Sequence, residues 1–274
     1  MCCDTRRSVC VCARGKTKKK CTVKTCDVRK NTHGDATDVV HSSGHFLTLL
    51  KILVLVAGNN DPSNSAMLAD SFVSGAKAAG AEINTIRVAD LDLEDFALKF
   101  YDAKTNQGKD FTMLENAVKD ADGLVIATPI WNFSVPGHLK NLIDRMGSFG
   151  LDTQSRSIGT LGGKPAYLIY TGGTPMAAWT GLQRRTVSHM SVSLRYFGCV
   201  VIGKHYEERC TPGRGKFGLV VDKRPSSLDI VKGKGKKFAA IVDSKARTGR
   251  LPLKERLLFA IFQLGQCIKK KLGL

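Results

Sequence analysis

Five short apolar runs, separated by longer segments of mixed polarity, follow one another along the chain from residue 51 onward. The runs are KILVLVA (51–57), AEINTIRV (81–88), GLVIAT (123–128), PAYLIYT (165–171) and CVVIG (199–203). Continuous apolar runs of this length are typical of strands that are buried on both faces. Strands that alternate with helices form parallel sheets, so the pattern predicts an α/β fold with helices on both faces of a five-stranded sheet.

Several of the intervening segments repeat apolar residues at the spacing of a helix face. In two of them the apolar positions are Leu68, Phe72, Val73 and Ala76, and Leu139, Leu142, Ile143 and Met146. The last segment, LPLKERLLFAIFQLGQCIKKK (251–271), is also predicted to be helical, through Leu253, Leu257, Leu258, Ile261 and Leu264. We expect this terminal helix to pack on the sheet, with a subunit contact or an anionic membrane surface as the alternatives.

Positive charge is confined to the two ends of the chain. The 274 residues include 42 Lys and Arg against 24 Asp and Glu, a net charge of +18. Residues 1–50 contain 10 basic and 4 acidic residues, residues 51–203 contain 14 and 14, and residues 204–274 contain 18 and 6. A nucleic-acid-binding domain carries its basic residues on the folded face that meets phosphate, so the neutral middle argues against nucleic acid as a partner.

The first 48 residues differ in composition from the rest of the chain. They hold six of the nine cysteines, together with the basic run KTKKK. We interpret residues 1–48 as a basic, Cys-rich tail that is disordered or serves as a targeting segment. Lipidation of Cys2 and Cys3, or zinc binding by CVC with Cys21 and Cys26, are alternatives. No apolar run is long enough to cross a membrane, and no secretory signal is recognisable, so we expect an intracellular protein, cytoplasmic or organellar.

The loop after the first predicted strand, GNNDPSNSAML (58–68), has the composition of an anion site. Ser63, Asn64 and Ser65 stand at the start of a predicted helix, where free backbone N–H groups and the helix dipole attract a negative charge. A simple N-cap by Ser63 is the alternative. The loop lacks the lysine of a triphosphate-binding loop, so a monophosphate fits better.

The loop after the third predicted strand lies in TPIWNFSVPGHLKNLIDR (128–145). In a sheet of order 2-1-3-4-5, the loops after strands one and three flank the ligand crevice. Trp131 and Phe133 offer apolar surface for a flat ring, and Asn132 offers an amide for its polar edge. We expect Ser134 to cap the next helix and Pro136 to lie in its first turn.

Three motifs together resemble the NADPH-dependent FMN reductase family of flavodoxin-like proteins, which includes azoreductases, quinone reductases and chromate reductases. They are GNNDPSNS (58–65), the pattern P-x-x-N-x-S-x-P-G-x-L-K-N-x-I-D (129–144) and LGGKPAYLIYTGG (161–173). The resemblance covers about residues 50–205. It implies a flavodoxin-like domain, here residues 49–274 with a basic C-terminal extension and terminal helix, that has the strand order 2-1-3-4-5.

The resemblance also implies an FMN site. Its phosphate would be held by Ser63, Asn64 and Ser65, its ring would lie against the loop Pro129, Ile130, Trp131, Asn132, Phe133 and Ser134, and Thr171, Gly172 and Gly173 would complete the site. The flavin carries the chemistry, so no catalytic side chain is implied. The first loop has Asp61 where the family often has an arginine.

The implied activity is hydride transfer from NADPH or NADH to FMN, and on to a quinone, an azo compound, a metal oxyanion or free flavin. The implied partners are that small-molecule acceptor and a second copy of the chain. One alternative is a flavodoxin-type electron carrier, although such carriers are usually acidic. Another is a flavin-less protein on the same fold that associates with a membrane or with nucleic acid.

Four further residues carry side chains of the types that act at such sites. Arg214 and Lys216 are candidates for binding the extra phosphate of NADPH, with a solvated turn or a subunit contact as alternatives. His189 fits a partly buried helix position better than an acid or base. Cys210 is a candidate redox thiol, but it lacks a second cysteine at CxxC spacing.

Overall fold

The computed structural model describes residues 49–213 and 216–272. The predictions for the tail of residues 1–48 (disorder, targeting, lipidation and zinc binding) lie outside the described residues, as does Arg214.

A single five-stranded parallel sheet forms the centre of the fold. Its strands are β1 (Leu50–Val56), β2 (Ala81–Arg87), β3 (Gly123–Pro129), β4 (Lys164–Thr171) and β5 (Cys199–Glu207). Their order is β2-β1-β3-β4-β5, and every neighbouring pair is parallel. The predicted α/β class and strand order are therefore confirmed. β5 continues four residues beyond the predicted run, through residues that are less apolar.

Helices cover both faces of the sheet. They are α1 (Asn64–Lys77), α2 (Lys109–Asp120), α3 (Gly137–Gly150), the short α4 (Met176–Ala178) and α5 (Arg184–Thr186), α6 (Ser188–Tyr196), α7 (Pro225–Thr248) and α8 (Leu253–Leu272). A π-helical turn, Trp179–Gln183, joins α4 to α5, and short 3₁₀ turns span Val88–Asp90, Leu98–Tyr101 and Val221–Lys223. One core cluster lies between the sheet and α2, α3 and α6, and the other between the sheet and α1 and α7.

The predicted helix faces are buried as expected. In α3, Leu139, Leu142, Ile143 and Met146 are each at most 1% exposed. In α1, Leu68, Phe72 and Ala76 are buried, whereas Val73 is half-buried. The helical period therefore located the apolar side of both helices correctly.

Part of the basic C-terminal extension belongs to the core. α7 lies along α1, and two glycines allow the close approach. A Cβ atom added at Gly235 would lie less than 3.0 Å from the backbone of Phe72, and one at Gly75 would lie equally close to the backbone of Lys232. Val231 and Phe238 of α7 are consequently buried against the sheet.

The terminal helix α8 contacts β5 of the sheet, as expected, but its leucines do not pack there. Leu253, Leu257, Leu258, Ile261 and Leu264 are between 51% and 73% exposed. The helix is held instead through its other side, where Gln266 Nε2 donates to the backbone carbonyl of Tyr196 at 3.0 Å. The apolar stripe is real, but no described part of the chain covers it.

Candidate functional site

The three loops singled out in the sequence meet at the carboxyl edge of the sheet. His138, at the start of α3, donates from Nε2 to the carbonyl of Ala57, at the end of β1, over 2.8 Å. The N–H of Ile130 donates to the carbonyl of Thr171 over 2.8 Å, which joins the loops after β3 and β4. Hydrogen bonds of ordinary length therefore hold the three loops in one region of the fold.

The loop after β1 places two hydroxyls together at the N-terminus of α1. Ser63 is the N-cap, and its Oγ accepts from the N–H of Ala66 at 3.3 Å, which confirms the capping interpretation. The Oγ atoms of Ser63 and Ser65 are 3.1 Å apart. A Cβ atom on Gly58 would lie less than 3.0 Å from both hydroxyls, so only a glycine leaves them uncovered on that side.

Asn64 has a structural role that the sequence did not reveal. Its Nδ2 donates to the carbonyl of Gly218 at 2.9 Å, and its Oδ1 accepts from the N–H groups of Val220 and Val221 at 2.8 and 3.1 Å. The amide is thus committed to the segment that leads into α7. The backbone N–H of Asn64, in contrast, has no hydrogen-bond acceptor among the described residues.

A tight turn presents the aromatic residues of the second loop. The N–H of Trp131 donates to the carbonyl of Ser134 at 2.8 Å, and the reverse bond is 2.9 Å. Asn132 and Phe133 have φ of 48° and 65°, the signs required at both central positions of a type I′ turn. The turn leaves Trp131 37% and Phe133 59% exposed. Two large rings therefore face solvent beside the loops that follow β1 and β4.

The same turn prevents the expected capping of α3 by Ser134. Because the backbone of Ser134 is paired with Trp131, α3 begins later, with Pro136 as its N-cap and without a side-chain cap. The carbonyl of Pro136 accepts from the N–H groups of Leu139 and Lys140, both at 3.1 Å. The predictions that Ser134 caps the helix and that Pro136 lies inside its first turn were wrong by one or two residues.

The loop after β4 is fixed closely against the end of β5. Thr171 is buried, and the N–H of Gly172 donates to the carbonyl of Glu207 at 3.0 Å. A Cβ atom on Gly172 would lie 2.7 Å from Oη of Tyr206, so a larger residue does not fit there. Among the described residues, the N–H of Gly173 has no acceptor and remains open to a ligand.

A stacked aromatic pair supports this loop from behind. The rings of Trp179 and Tyr206 are 4.2 Å apart and within 4° of parallel. Tyr206 Oη donates to the carbonyl of Thr174 at 2.7 Å, and the Thr174 hydroxyl reaches the side chain of Gln183. Trp179 and Gln183 come from the π-helical turn, a feature often found near functional sites. Sequence reasoning missed this support.

A buried carboxylate ties β5 to the start of α7. Glu207 accepts from Arg224 Nη1 at 2.8 Å, from the Ser227 hydroxyl at 3.0 Å and from His205 Nε2 at 3.2 Å. Burial acts to raise its pKa, but these hydrogen bonds outweigh burial and lower the pKa from 4.5 to about 2. Glu207 is therefore ionised at neutral pH and serves as a structural anchor.

Of the remaining candidates, Cys210 and His189 have structural surroundings, and the role of Lys216 stays a prediction. Burial and the neighbouring Glu207 raise the pKa of the Cys210 thiol to about 12, which suppresses the reactive thiolate. His189 is a partly buried helix residue, as expected, with Nδ1 bonded to the carbonyl of Thr186 at 3.1 Å. Lys216 is exposed, two residues from Gly218. Among the residues that the structure describes, no three His, Cys, Asp or Glu side chains are grouped as metal ligands.

The sheet order and the loops at its carboxyl edge define a flavodoxin-like α/β protein. Residues 50–206, more than half of the chain, match the family described as NADPH-dependent FMN reductase. The chain belongs to this family.

Similar proteins carry related names. A quinone reductase of Escherichia coli K12 is 35% identical over 100 residues, which are 35% of this chain and 49% of that protein. The chain thus spans about half the length of the first relatives it matches. An FMN-dependent NADH:quinone oxidoreductase of Shewanella amazonensis is 29% identical over 181 residues, which are 60% of this chain and 89% of that protein.

Two solved structures share the fold. An NAD(P)H:quinone oxidoreductase from Methanothermobacter marburgensis superposes with a TM-score of 0.55 at 18% identity, over 69% of this chain and 96% of its own. An azoreductase from Bacillus anthracis superposes with a TM-score of 0.50 at 16% identity, over 72% of this chain and 100% of its own. At these identities, the likeness concerns the architecture alone.

Proposed function

We propose that the protein is an FMN-dependent NAD(P)H oxidoreductase that reduces a quinone or an azo compound. The observation that carries the proposal is the meeting of three family motifs, 58–65, 129–144 and 161–173, at one edge of the sheet. A metal oxyanion and free flavin are further acceptors that the same site could serve. The proposed assembly is a homodimer, and the proposed location is intracellular.

The loop after β1 has the features that a phosphate monoester needs. The hydroxyls of Ser63 and Ser65 lie side by side at a helix N-terminus, where the dipole favours an anion. Gly58 leaves them uncovered, and among the described residues the backbone N–H groups of Asn64 and Ser65, in the first turn of α1, have no acceptor. We infer that these groups hold the FMN phosphate, with Asn64 contributing its backbone rather than its side chain.

The other two loops suit a flat ring. Trp131 and Phe133 supply exposed aromatic surface on a turn whose backbone is fixed by two hydrogen bonds, with Pro129, Ile130, Asn132 and Ser134 completing that loop. Gly172 makes room for the Tyr206 ring, whereas the exposed Gly173 lets the backbone approach a ligand closely, and the Gly173 N–H can donate to a polar ring atom. Bound FMN supplies hydride acceptance and donation, so the chain has only to orient the reactants and limit access of water.

The first experiment is a titration of the purified protein with FMN, followed by NADPH under anaerobic conditions, while the visible absorption spectrum is recorded. We expect saturable flavin binding and bleaching of the flavin band. Turnover with quinone and azo acceptors then identifies the second substrate. If flavin binds but NADPH does not bleach it, an electron carrier replaces the reductase. If flavin does not bind, the proposed function fails.

A single substitution tests the phosphate loop. Gly58→Ala places a methyl group against both serine hydroxyls, and the φ of Gly58 is one that alanine can adopt. We expect FMN affinity to fall by about tenfold or more, while riboflavin, which lacks the phosphate, binds as before. Gly233→Ala, where a Cβ atom has no neighbour within 4 Å, is the matched control. Equal losses for FMN and riboflavin would place the phosphate elsewhere.

A further inference from the structure

The exposed side of α8 is a continuous apolar face. Six large aliphatic side chains line it, each 49–73% exposed: Leu253, Leu257, Leu258, Ile261, Leu264 and Ile268. Residues 257, 261, 264 and 268 are spaced by four, three and four positions, which places them above one another along the helix. Scattered apolar residues are normal on a protein surface, but a contiguous patch marks a contact site.

The orientation of this face is fixed by contacts on the opposite side of the helix. Gln266 is buried and bonded to the backbone of Tyr196, and Phe259 lies beside Gly163. Lys270 Nζ is 3.9 Å from the carboxylate of Asp152. α8 therefore cannot turn its apolar side inward without breaking the contacts that hold it, and the face is presented outward.

The charge around the face identifies its partner. α8 contains the basic residues Lys254, Arg256, Lys269, Lys270 and Lys271 and the single acidic residue Glu255. Lys254 and Lys271 are exposed near the two ends of the apolar stripe. Residues 204–274 carry 18 basic and 6 acidic residues, so the whole region is positive. A partner surface that is apolar and anionic complements it.

The same charges disfavour the other occupants. An antiparallel pair of α8 helices would bring Lys254 of one copy towards Lys271 of the other, and a parallel pair would bring identical lysines together. Residues 1–50, with 10 basic and 4 acidic residues, offer no complementary charge either. A bilayer that contains acidic lipid supplies both the apolar and the anionic component in one surface.

We propose that α8 binds the surface of an anionic lipid bilayer. The helix, about 30 Å long, lies parallel to the membrane, with its six aliphatic side chains in the acyl boundary and with Lys254 and Lys271 among the acidic headgroups. No helix in the described part of the chain is long and apolar enough to span a membrane. The interaction is therefore peripheral, and it does not depend on whether the site at the sheet edge binds flavin.

The test is flotation of the full-length protein with vesicles of phosphatidylcholine and phosphatidylserine in equal amounts, compared with vesicles of phosphatidylcholine alone. We expect binding to the anionic vesicles, and weaker binding to the neutral ones and at high salt. Failure of the protein to float with the anionic vesicles overturns the proposal, whatever the outcome of the flavin titration.

Variants separate α8 from the basic N-terminal residues. Leu257→Ser/Ile261→Ser/Leu264→Ser should lower vesicle binding by about tenfold or more. The matched control, Leu98→Ser/Val192→Ser/Ile230→Ser, removes three equally apolar side chains that are 54–76% exposed elsewhere, and it should bind as the parent does. Circular dichroism verifies that both remain folded. Equal binding by the α8 variant and the parent would overturn the proposal.

Two further measurements complete the test. Lys254→Gln/Lys271→Gln leaves the apolar face intact and should weaken binding to anionic vesicles by several-fold, with no change for neutral ones. Light scattering reports the mass in solution. A parent dimer that the triple α8 variant converts to a monomer, in a protein that does not float, would identify the face as a protein interface and overturn the membrane proposal.

Discussion

The two long helices of the basic C-terminal region, α7 and α8, differ in whether their apolar side chains are buried. α7 has six Leu, Ile, Val or Phe residues in 24 positions, and α8 has nine in 20. The less apolar helix is the one that enters the core, whereas the more apolar one exposes its leucines. Hydrophobic content therefore identifies an amphipathic helix, but it does not decide which surface covers its apolar face.

The close fit between α7 and α1 explains why α7 is buried. Gly235 of α7 and Gly75 of α1 let the two backbones approach so closely that neither position has room for a Cβ atom. The Phe238 ring then reaches Phe72 and Tyr167, with centroids 5.7 and 5.9 Å away. In α8, a Cβ atom on Gly265 would meet nothing within 4 Å, so that glycine brings no neighbour closer.

The largest contrast is expected from truncating one apolar side chain in each helix. Phe238 is 1% exposed and Leu257 is 62% exposed. Phe238→Ala should lower the free energy of unfolding by about 4 kcal/mol, because it removes a buried ring and leaves a cavity. Leu257→Ala should change it by less than about 0.5 kcal/mol. Urea unfolding followed by circular dichroism measures both, and similar losses would mean that α8 is covered in solution.

A smaller effect is expected from closing the gap between α1 and α7. Gly235→Ala adds a methyl group against the backbone of Phe72, which cannot move aside as a flexible side chain would. The free energy of unfolding should fall by about 2 kcal/mol. Gly233→Ala, two residues earlier on the same helix, has open space and should raise it by about 0.5 kcal/mol through helix propensity. A destabilised Gly233 variant would contradict this explanation.

The smallest expected effect is the pH dependence of the contribution of Glu207 to the free energy of unfolding. Glu207 anchors the start of α7, and its pKa in the folded protein is about 2, against an ordinary value of 4.5. Because the folded pKa is depressed, the stabilisation is present above about pH 4.5 and is lost as the pH falls towards 2. Solvent screening reduces it to on the order of 1 kcal/mol. The difference in unfolding free energy between the parent and Glu207→Gln should shrink over that window. A difference that does not change with pH would exclude the carboxylate as its source.

The sequence predicted the features that depend on local pattern. Strand positions and the buried faces of α1 and α3 followed from apolar runs and helical spacing, whereas the strand order and the meeting of the three loops at one edge followed from the motif resemblance. The expected cap at Ser134 failed because a turn with positive φ at Asn132 and Phe133 consumed its backbone. Neither residue is a glycine, so the turn gave no clear signal in the sequence.

Apart from this turn, the features that the sequence did not reveal depend on partners far along the chain. The stack of Trp179 on Tyr206 joins residues 27 positions apart, and the local sequence around each residue does not predict the contact. The close fit of Gly75 and Gly235 depends on the crossing of two helices. The proposed binding roles of Ser63, Trp131 and Gly172 come from the motif resemblance together with their place at the carboxyl edge of the sheet.

The hydrogen bonds of Asn64 bear on what counts as a unit of this protein. The family match ends at residue 206, yet the acceptor and the two donors for the Asn64 amide belong to residues 218–221, and α7 covers the same face as α1. A fragment that ended with the family match would lose these partners and would expose the side chains that α7 covers. The segment that matches the family and the segment that builds the core are therefore different lengths of chain.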